Sequence, residues 1–389
     1  MNDKRDLEVK QTVKRLLLLC LCAALLCSAA FAETAIIDLE NTENSENFRG
    51  FCKLPDGRML FAGFQENADG GVGRLLCLNT DMTVSWEYLD KTNDGFTDVT
   101  VTKDNTIAAL YEKGVRFFTP EGELLDKTLY LQPALGFYDV TPLGVMACHR
   151  TGDNELANYL ELLDWDGRVL FRVDEPESMW VGSPPIEEED SLVLFGQAAG
   201  KPTEAPARVV KIDSKGSKVW ETLLPFLSEE RTMTGVAAGT KTSDGGYLGI
   251  LWDDNVASDS VKRALVKFDA EGNVAWSKTP EYDFWMAEEY NGKYLVQGWY
   301  YDYGINKYVA RYQWYDTEGN DLGTTEYRFP EEKLPRHVDR DNWNPSVENL
   351  IPMEKGLWQR IVIWESEDPE DEGAAWFAQD NVLAPVPEL

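Results

Sequence analysis

Six stretches of this chain are copies of one pattern, and that repeat limits the fold more than any other feature. The segments Arg74 to Trp86, Val115 to Asp126, Tyr159 to Phe171, Val209 to Trp220, Leu265 to Trp276 and Tyr312 to Gly323 each read as an alternating strand, an Asp-x-x-Gly turn and a second strand. The first turn position is Asn79, Thr119, Asp164, Asp213, Asp269 or Asp316, and the last is Met82, Gly122, Gly167, Gly216, Gly272 or Gly319. An Asp in the first position accepts backbone N–H groups further along the turn, and a Gly in the last takes a positive φ without a Cβ clash. Together they predict a tight hairpin with a glycine bulge. Met82 departs from the pattern and is expected to distort the first hairpin. Four residues past the glycine stand Trp86, Phe171, Trp220 and Trp276, read as packing between neighbouring sheets; Asp126 and Gly323 break that rule.

A second hairpin precedes each of these. Its turns include Pro55-Asp56-Gly57, Lys103-Asp104-Asn105, Ser243-Asp244-Gly245-Gly246 and Asn291-Gly292, followed by apolar strands such as Met59 to Gly63, Tyr247 to Trp252 and Leu357 to Trp364. Two hairpins make a unit of four antiparallel strands that recurs about every 50 residues, as the blades of a β-propeller do. Counting the first hairpins predicts an all-β, seven-bladed β-propeller of four-stranded antiparallel sheets. The last unit lacks a strand, and Thr34 to Leu39 has no other partner. That N-terminal segment is expected to complete the last blade, which removes two exposed edges at once.

Ser243 to Ile250, followed by Ala264 to Lys278, resembles a repeat common in exported bacterial β-propellers. It is similar, more loosely, to the Trp-bearing blades of pyrroloquinoline-quinone-like and WD40-like propellers. The match is strong over residues 240–278 and degenerate elsewhere. The resemblance implies a propeller fold and little about activity, since such repeats serve enzymes, assembly factors and binding proteins alike.

Residues 1–32 read as a signal peptide and 33–389 as a single propeller domain. Five basic residues precede an uncharged apolar run, Leu16 to Ala32, that closes in Ala30-Phe31-Ala32, so cleavage is expected before Glu33. The run is short for a membrane span, which takes about 20 apolar residues. Cys20, Cys22 and Cys27 each follow Leu, which disfavours lipidation. The expectation is a secreted, extracellular monomer with no membrane insertion after cleavage. Of the cysteines beyond the signal, Cys52, Cys77 and Cys148 permit one bridge at most. The formal charge of −31 repels phosphate backbones and anionic headgroups, so no nucleic-acid partner is expected.

The turns within hairpins are short, whereas the loops at the opposite end of the blades, between second and third strands, read as long: Gln65–Gly73, Arg150–Asn158, Gln197–Ala207, Asp253–Lys262, Tyr300–Lys307 and Glu365–Gly373. Such an asymmetry marks the functional end of a rigid scaffold. These loops are acidic, which reads either as solvating charge or as a site. Aromatics crowd the sixth repeat, from Tyr282 to Tyr315, which reads either as sheet packing or as a stacking surface for sugars and cations. The candidate ligand-binding residues at this end are Trp252, Asp253, Asp254, Trp299, Tyr301, Trp364 and Glu365. Asp339 and Asp341, in Asp339-Arg340-Asp341-Asn342, resemble part of a calcium loop but lack its Gly and bidentate Glu. No cofactor is expected for the binding reading other than calcium at this position.

Catalytic signatures are sparse. The chain has two histidines, His149 and His337, and no HExxH, no nucleophile elbow and no phosphate loop. His149 reads as a rim residue, and its neighbour Cys148 points to the opposite face. No catalytic residue is assigned. The expectation is a binding protein that recognises a carbohydrate, a cell-envelope component or a basic protein partner on its acidic, loop-rich end. The alternative is a propeller enzyme, either a quinone-dependent dehydrogenase or a carbohydrate-active hydrolase or lyase.

Overall fold

The computed structural model describes residues 36–38, 46–67, 70–81, 83–93, 95–131, 137–149, 159–174, 179–188, 190–199, 201, 203–229, 233–255, 260–280, 282–305, 307–327, 344–353, 356–364 and 374–379. The leader, Met82, Asp339, Asp341 and Glu365 lie outside them.

The described strands form a β-propeller of antiparallel sheets. Blade 1 is β2 (Glu46–Lys53), β3 (Met59–Asn67), β4 (Gly70–Leu78) and β5 (Val84–Asp90). Blade 2 is β6 (Phe96–Val101), β7 (Ile107–Tyr111), β8 (Gly114–Phe118) and β9 (Leu124–Tyr130). Blade 3 is β10 (Phe137–Thr141), β11 (Gly144–His149), β12 (Tyr159–Leu163) and β13 (Val169–Asp174). Blade 4 is β14 (Met179–Val181), β15 (Ile186–Glu187), β16 (Ser191–Ala198), β17 (Ala207–Asp213) and β18 (Lys218–Leu224). Blade 5 is β19 (Met233–Lys241), β20 (Tyr247–Asn255), β21 (Ser260–Phe268) and β22 (Val274–Lys278). Blade 6 is β23 (Phe284–Tyr290), β24 (Lys293–Asp302), β25 (Lys307–Tyr315) and β26 (Asp321–Tyr327).

One further sheet does not repeat these six. It joins the two ends of the chain, with β1 (Ile36–Asp38) pairing β29 (Ala374–Gln379), then β28 (Gly356–Trp364) and β27 (Asn344–Met353). Ile36, Ile37 and Asp38 stand opposite Gln379, Ala378 and Phe377. The expectation of seven four-stranded blades, the last closed by an N-terminal strand, is thus corrected to six blades built from consecutive strands; the N-terminal strand does pair the last strand, in a further sheet that joins both termini. Four strands per blade also fails in blade 4, whose inner edge is split, β14 and β15 both pairing β16. The interruption contains Pro184 and Pro185, which have no N–H to offer a ladder.

The repeat turns form as their chemistry requires. Asp213 Oδ1 accepts from Lys215 N at 2.9 Å and Ser217 N at 2.8 Å, and Gly216 sits at φ +80°. The first hairpin closes in the same way, with Asn79 N–H donating to Thr83 O at 2.8 Å and the same bulge between Cys77 and Leu78. The expected distortion does not reach its flanking strands, because that bond and the bulge are made by backbone atoms that do not depend on a glycine.

The seams between blades carry the core. In blades 1, 3, 4 and 5 the aromatic past the turn lies on the turn glycine of the next blade: Trp86 on Gly122, Phe171 on Gly216, Trp220 on Gly272 and Trp276 on Gly319. The outermost strands β5, β9, β13, β18, β22 and β26 are largely exposed. The strands at the opposite edges meet between neighbouring blades, β2 with β6, β6 with β10 and β19 with β23.

Candidate functional site

Three loop-end strands are longer than expected. β3 runs to Asn67, β20 to Asn255 and β24 to Asp302, so the loops expected at Gln65–Gly73, Asp253–Lys262 and Tyr300–Lys307 shrink to a few residues. A hairpin continues pairing past its apolar stretch wherever the opposite strand can satisfy its backbone groups. Trp252, Asp253 and Asp254 are therefore strand residues on alternating faces of β20, not one loop surface.

Asp253 is only 2% exposed. Its carboxylate accepts the N–H groups of Leu227 and Ser228, the latter at 2.7 Å, and the hydroxyl of Thr234 at 2.5 Å. It anchors the connection from blade 4 into β19. Trp252 faces the other way and is half-buried. Its indole lies across Gly235 on β19, where an added Cβ would stand 2.8 Å from the ring. The missing side chain lets a second-strand Trp reach the inner edge of the blade. There it meets Trp180 of β14 edge-on, with centroids 6.5 Å apart at 90°.

Arg263 stands opposite Trp252 on β21 and extends the row into blade 6. Its guanidinium lies 5.1 Å from the Trp285 ring and 2.8 Å from Asp283 Oδ1. Trp285 is the extra residue of a bulge in β23, where pairing jumps from Phe284 to Met286. A bulge re-aims a side chain without ending the strand. Trp285 meets Trp299 of β24 at 4.9 Å and 75°. The result is an arc over three blades, Trp180, Trp252, Arg263, Trp285 and Trp299, at the end where the inner strands begin. All four indoles are half-buried, with part of each surface open.

Of the expected site residues, the arc unites Trp252 and Trp299. Tyr301 stands beyond it, against the 87% exposed Tyr303 at 5.0 Å. Asp254 is half-buried at the end of β20. Trp364 lies in β28 opposite Ala374, and its side chain lies outside the described residues. Trp180, Trp285 and Arg263 were not singled out by the sequence. Trp180 sits in the middle of a three-residue strand, and Trp285 is the unpaired residue of a bulge that no periodic pattern shows.

Deeper along the inner strands, carboxyl groups join blades. Asp98 of β6 and Asp139 of β10 both accept the Val140 N–H at 3.0 Å, and Asp98 also takes Val99 N–H at 2.8 Å. Burial, and then its neighbour Asp139, push the Asp98 carboxyl well above the usual range. Glu288 of β23 accepts the Thr240 hydroxyl at 3.2 Å, and burial pushes it up to about 7. These groups are engaged by the backbone and by each other, which fits a role in locking blades together. His149 stacks on Tyr159 at 4.1 Å with Nε2 3.2 Å from Glu161, as a rim residue would. The thiols of Cys52, Cys77 and Cys148 are free. Among the described residues, no three His, Cys, Asp or Glu side chains are placed to hold a metal ion, and no helix is long and apolar enough to cross a membrane.

No family model and no curated protein matches the chain. Among solved structures, it is similar to an inactive virginiamycin B lyase from Staphylococcus aureus with quinupristin, at 14% identity and TM-score 0.49 over 90% of this chain and 100% of that one. It is also similar to BamB from Moraxella catarrhalis, at 10% identity and TM-score 0.46 over 89% and 98%. The WD40 β-propeller domain of Doa1 matches at 10% identity and TM-score 0.46 over 90% and 98%. At such identities the likeness concerns fold alone; the propeller assignment rests on this chain's own strand order.

Proposed function

We propose that this chain is an exported binding protein that holds a carbohydrate chain across its aromatic arc. The observation that carries the reading is the arc itself: four half-buried indoles and one stacked guanidinium, gathered from three blades. Indole faces stack on the apolar faces of sugar rings, and the N–H edges donate to hydroxyls. The carboxylates that were to make this end a docking surface for a basic partner are partly consumed within the fold. Asp253 is buried on backbone N–H groups, and Asp302 accepts the Gly304 N–H. The open indole surface favours a sugar ring as the occupant of the arc.

The test is a glycan array probed with the purified chain, followed by calorimetry on the best hits. Trp252→Ala and Trp299→Ala should each weaken binding about tenfold, or 1.4 kcal/mol, measured at a temperature where both variants are folded. Unchanged array profiles in both variants would remove the arc as the site.

A further inference from the structure

Two seams, between blades 3 and 4 and between blades 5 and 6, contain clefts built at the same positions of the repeat and lined by different chemistry. Counted from the turn residues Asp213 and Asp316, the same offsets place Arg208, Val210, Ile212 and Lys218 in the first cleft and Arg311, Gln313, Tyr315 and Asp321 in the second. The second, about 550 Å³, is polar. The first, about 390 Å³, has an apolar floor of Leu160, Met179, Leu194, Val210 and Ile212, each no more than 4% exposed. Its rim carries Arg172, Arg208 and Lys218 with Asp174, and Glu221 stands behind two of these cations, which leaves the rim net positive. Basic residues drawn together around a greasy pocket stand out in a chain of charge −31.

The cations are held in place. Arg208 Nε lies 2.7 Å from Glu221, which also takes the Lys218 ammonium at 2.7 Å. Arg172 pairs with Asp174 at 2.7 Å and lies 3.6 Å from the Tyr159 ring centroid. Arg172 comes from blade 3 and the other two from blade 4, so the charged rim exists only where the blades meet.

We propose that this cleft binds a medium-chain fatty acid, its alkyl chain on the apolar floor and its carboxylate at the basic rim. The volume is that of a small-molecule site, and such sites combine a mostly apolar lining with a few fixed polar groups. A neutral alkyl ligand would gain nothing from the three cations, and a cationic amphiphile would be repelled by them.

Calorimetry with dodecanoate below its micellar concentration tests this on the full chain, alongside dodecyltrimethylammonium. Saturable binding of dodecanoate, absent for the cationic amphiphile, is expected. Arg172→Glu combined with Lys218→Glu should weaken dodecanoate about tenfold or more. Both side chains are about half exposed, so the fold should survive; Lys218→Gln is the milder variant and should weaken binding about threefold. No saturable binding, equal binding of the two amphiphiles, or unaltered affinity in every rim variant would overturn the proposal.

Discussion

The indole of Trp220 lies directly on Gly272, so close that a Cβ built there would stand 2.5 Å from Trp220 Cε3. Trp220 belongs to blade 4 and Gly272 to the turn of blade 5, so one glycine serves two ends: it takes the positive φ of its own turn and leaves room for the neighbour's ring.

Gly272→Ala should therefore cost about 2–4 kcal/mol, the sum of left-handed backbone strain and overpacking against the ring. Gly292→Ala is the control. Gly292 has φ +69° but nothing within 4 Å of an added Cβ, so only the backbone cost of about 1–2 kcal/mol should appear. Denaturant unfolding of the two variants measures the difference, and equal losses would contradict the seam account.

Two carboxyls, Glu288 deep in a seam and Glu188 partly exposed, give opposite pH slopes. Glu288 is raised by burial to about 7, so the folded state holds its proton more tightly than the unfolded chain does. Its favourable contribution is present at low pH and is lost as pH rises from about 4.5 through 7. Glu288→Gln should stabilise the protein at pH 8 by about 1–2 kcal/mol and have little benefit at pH 4. Glu188 is the reverse case. Burial raises it, but Lys211, Lys241 and the Tyr247 hydroxyl outweigh that and hold it at about 2. Its stabilisation is present above about pH 4.5 and is lost as pH falls towards 2, so Glu188→Gln should cost stability at neutral pH and progressively less in acid. Thermal unfolding across pH reads both slopes.

Asp253→Ala should destabilise by about 2–4 kcal/mol, because two backbone N–H groups and the Thr234 hydroxyl lose their shared acceptor in a buried place. Asp253→Asn keeps one acceptor oxygen and should cost less. If Asp253 were instead an exposed ligand contact, Asp253→Ala would alter binding and leave the unfolding midpoint unchanged.

The thiols should be inert in the native state. Burial pushes Cys148 up to about 12 and Cys77 up to about 11, and it raises Cys52 as well. Since the thiolate is the reactive form, Ellman's reagent at pH 8 should find these three cysteines only after denaturant is added. Rapid native labelling of any of them would contradict the packing described.

Much of the architecture was legible in local chemistry. Asp164, Asp213, Asp269 and Asp316 with their glycines specify the hairpins through contacts a few residues apart, and the aromatic past the turn marks the seams at a fixed offset. The same local reading counted first hairpins as blades, and it placed the segment after the leader beside the last strand, where β1 pairs β29. It could not register that Pro184 and Pro185 split one inner edge.

The sequence by itself determined the turn geometry, the alternation of the strands and the order of the blades, because these depend on neighbours along the chain. Only the tertiary structure decided which side chains form the site. Asp253 looked like a surface acid and became an internal anchor when β20 kept pairing past it. Trp180, Trp252, Arg263, Trp285 and Trp299 come together because Gly235 leaves a gap and a bulge turns Trp285, and a gap filled from another strand leaves no period to read.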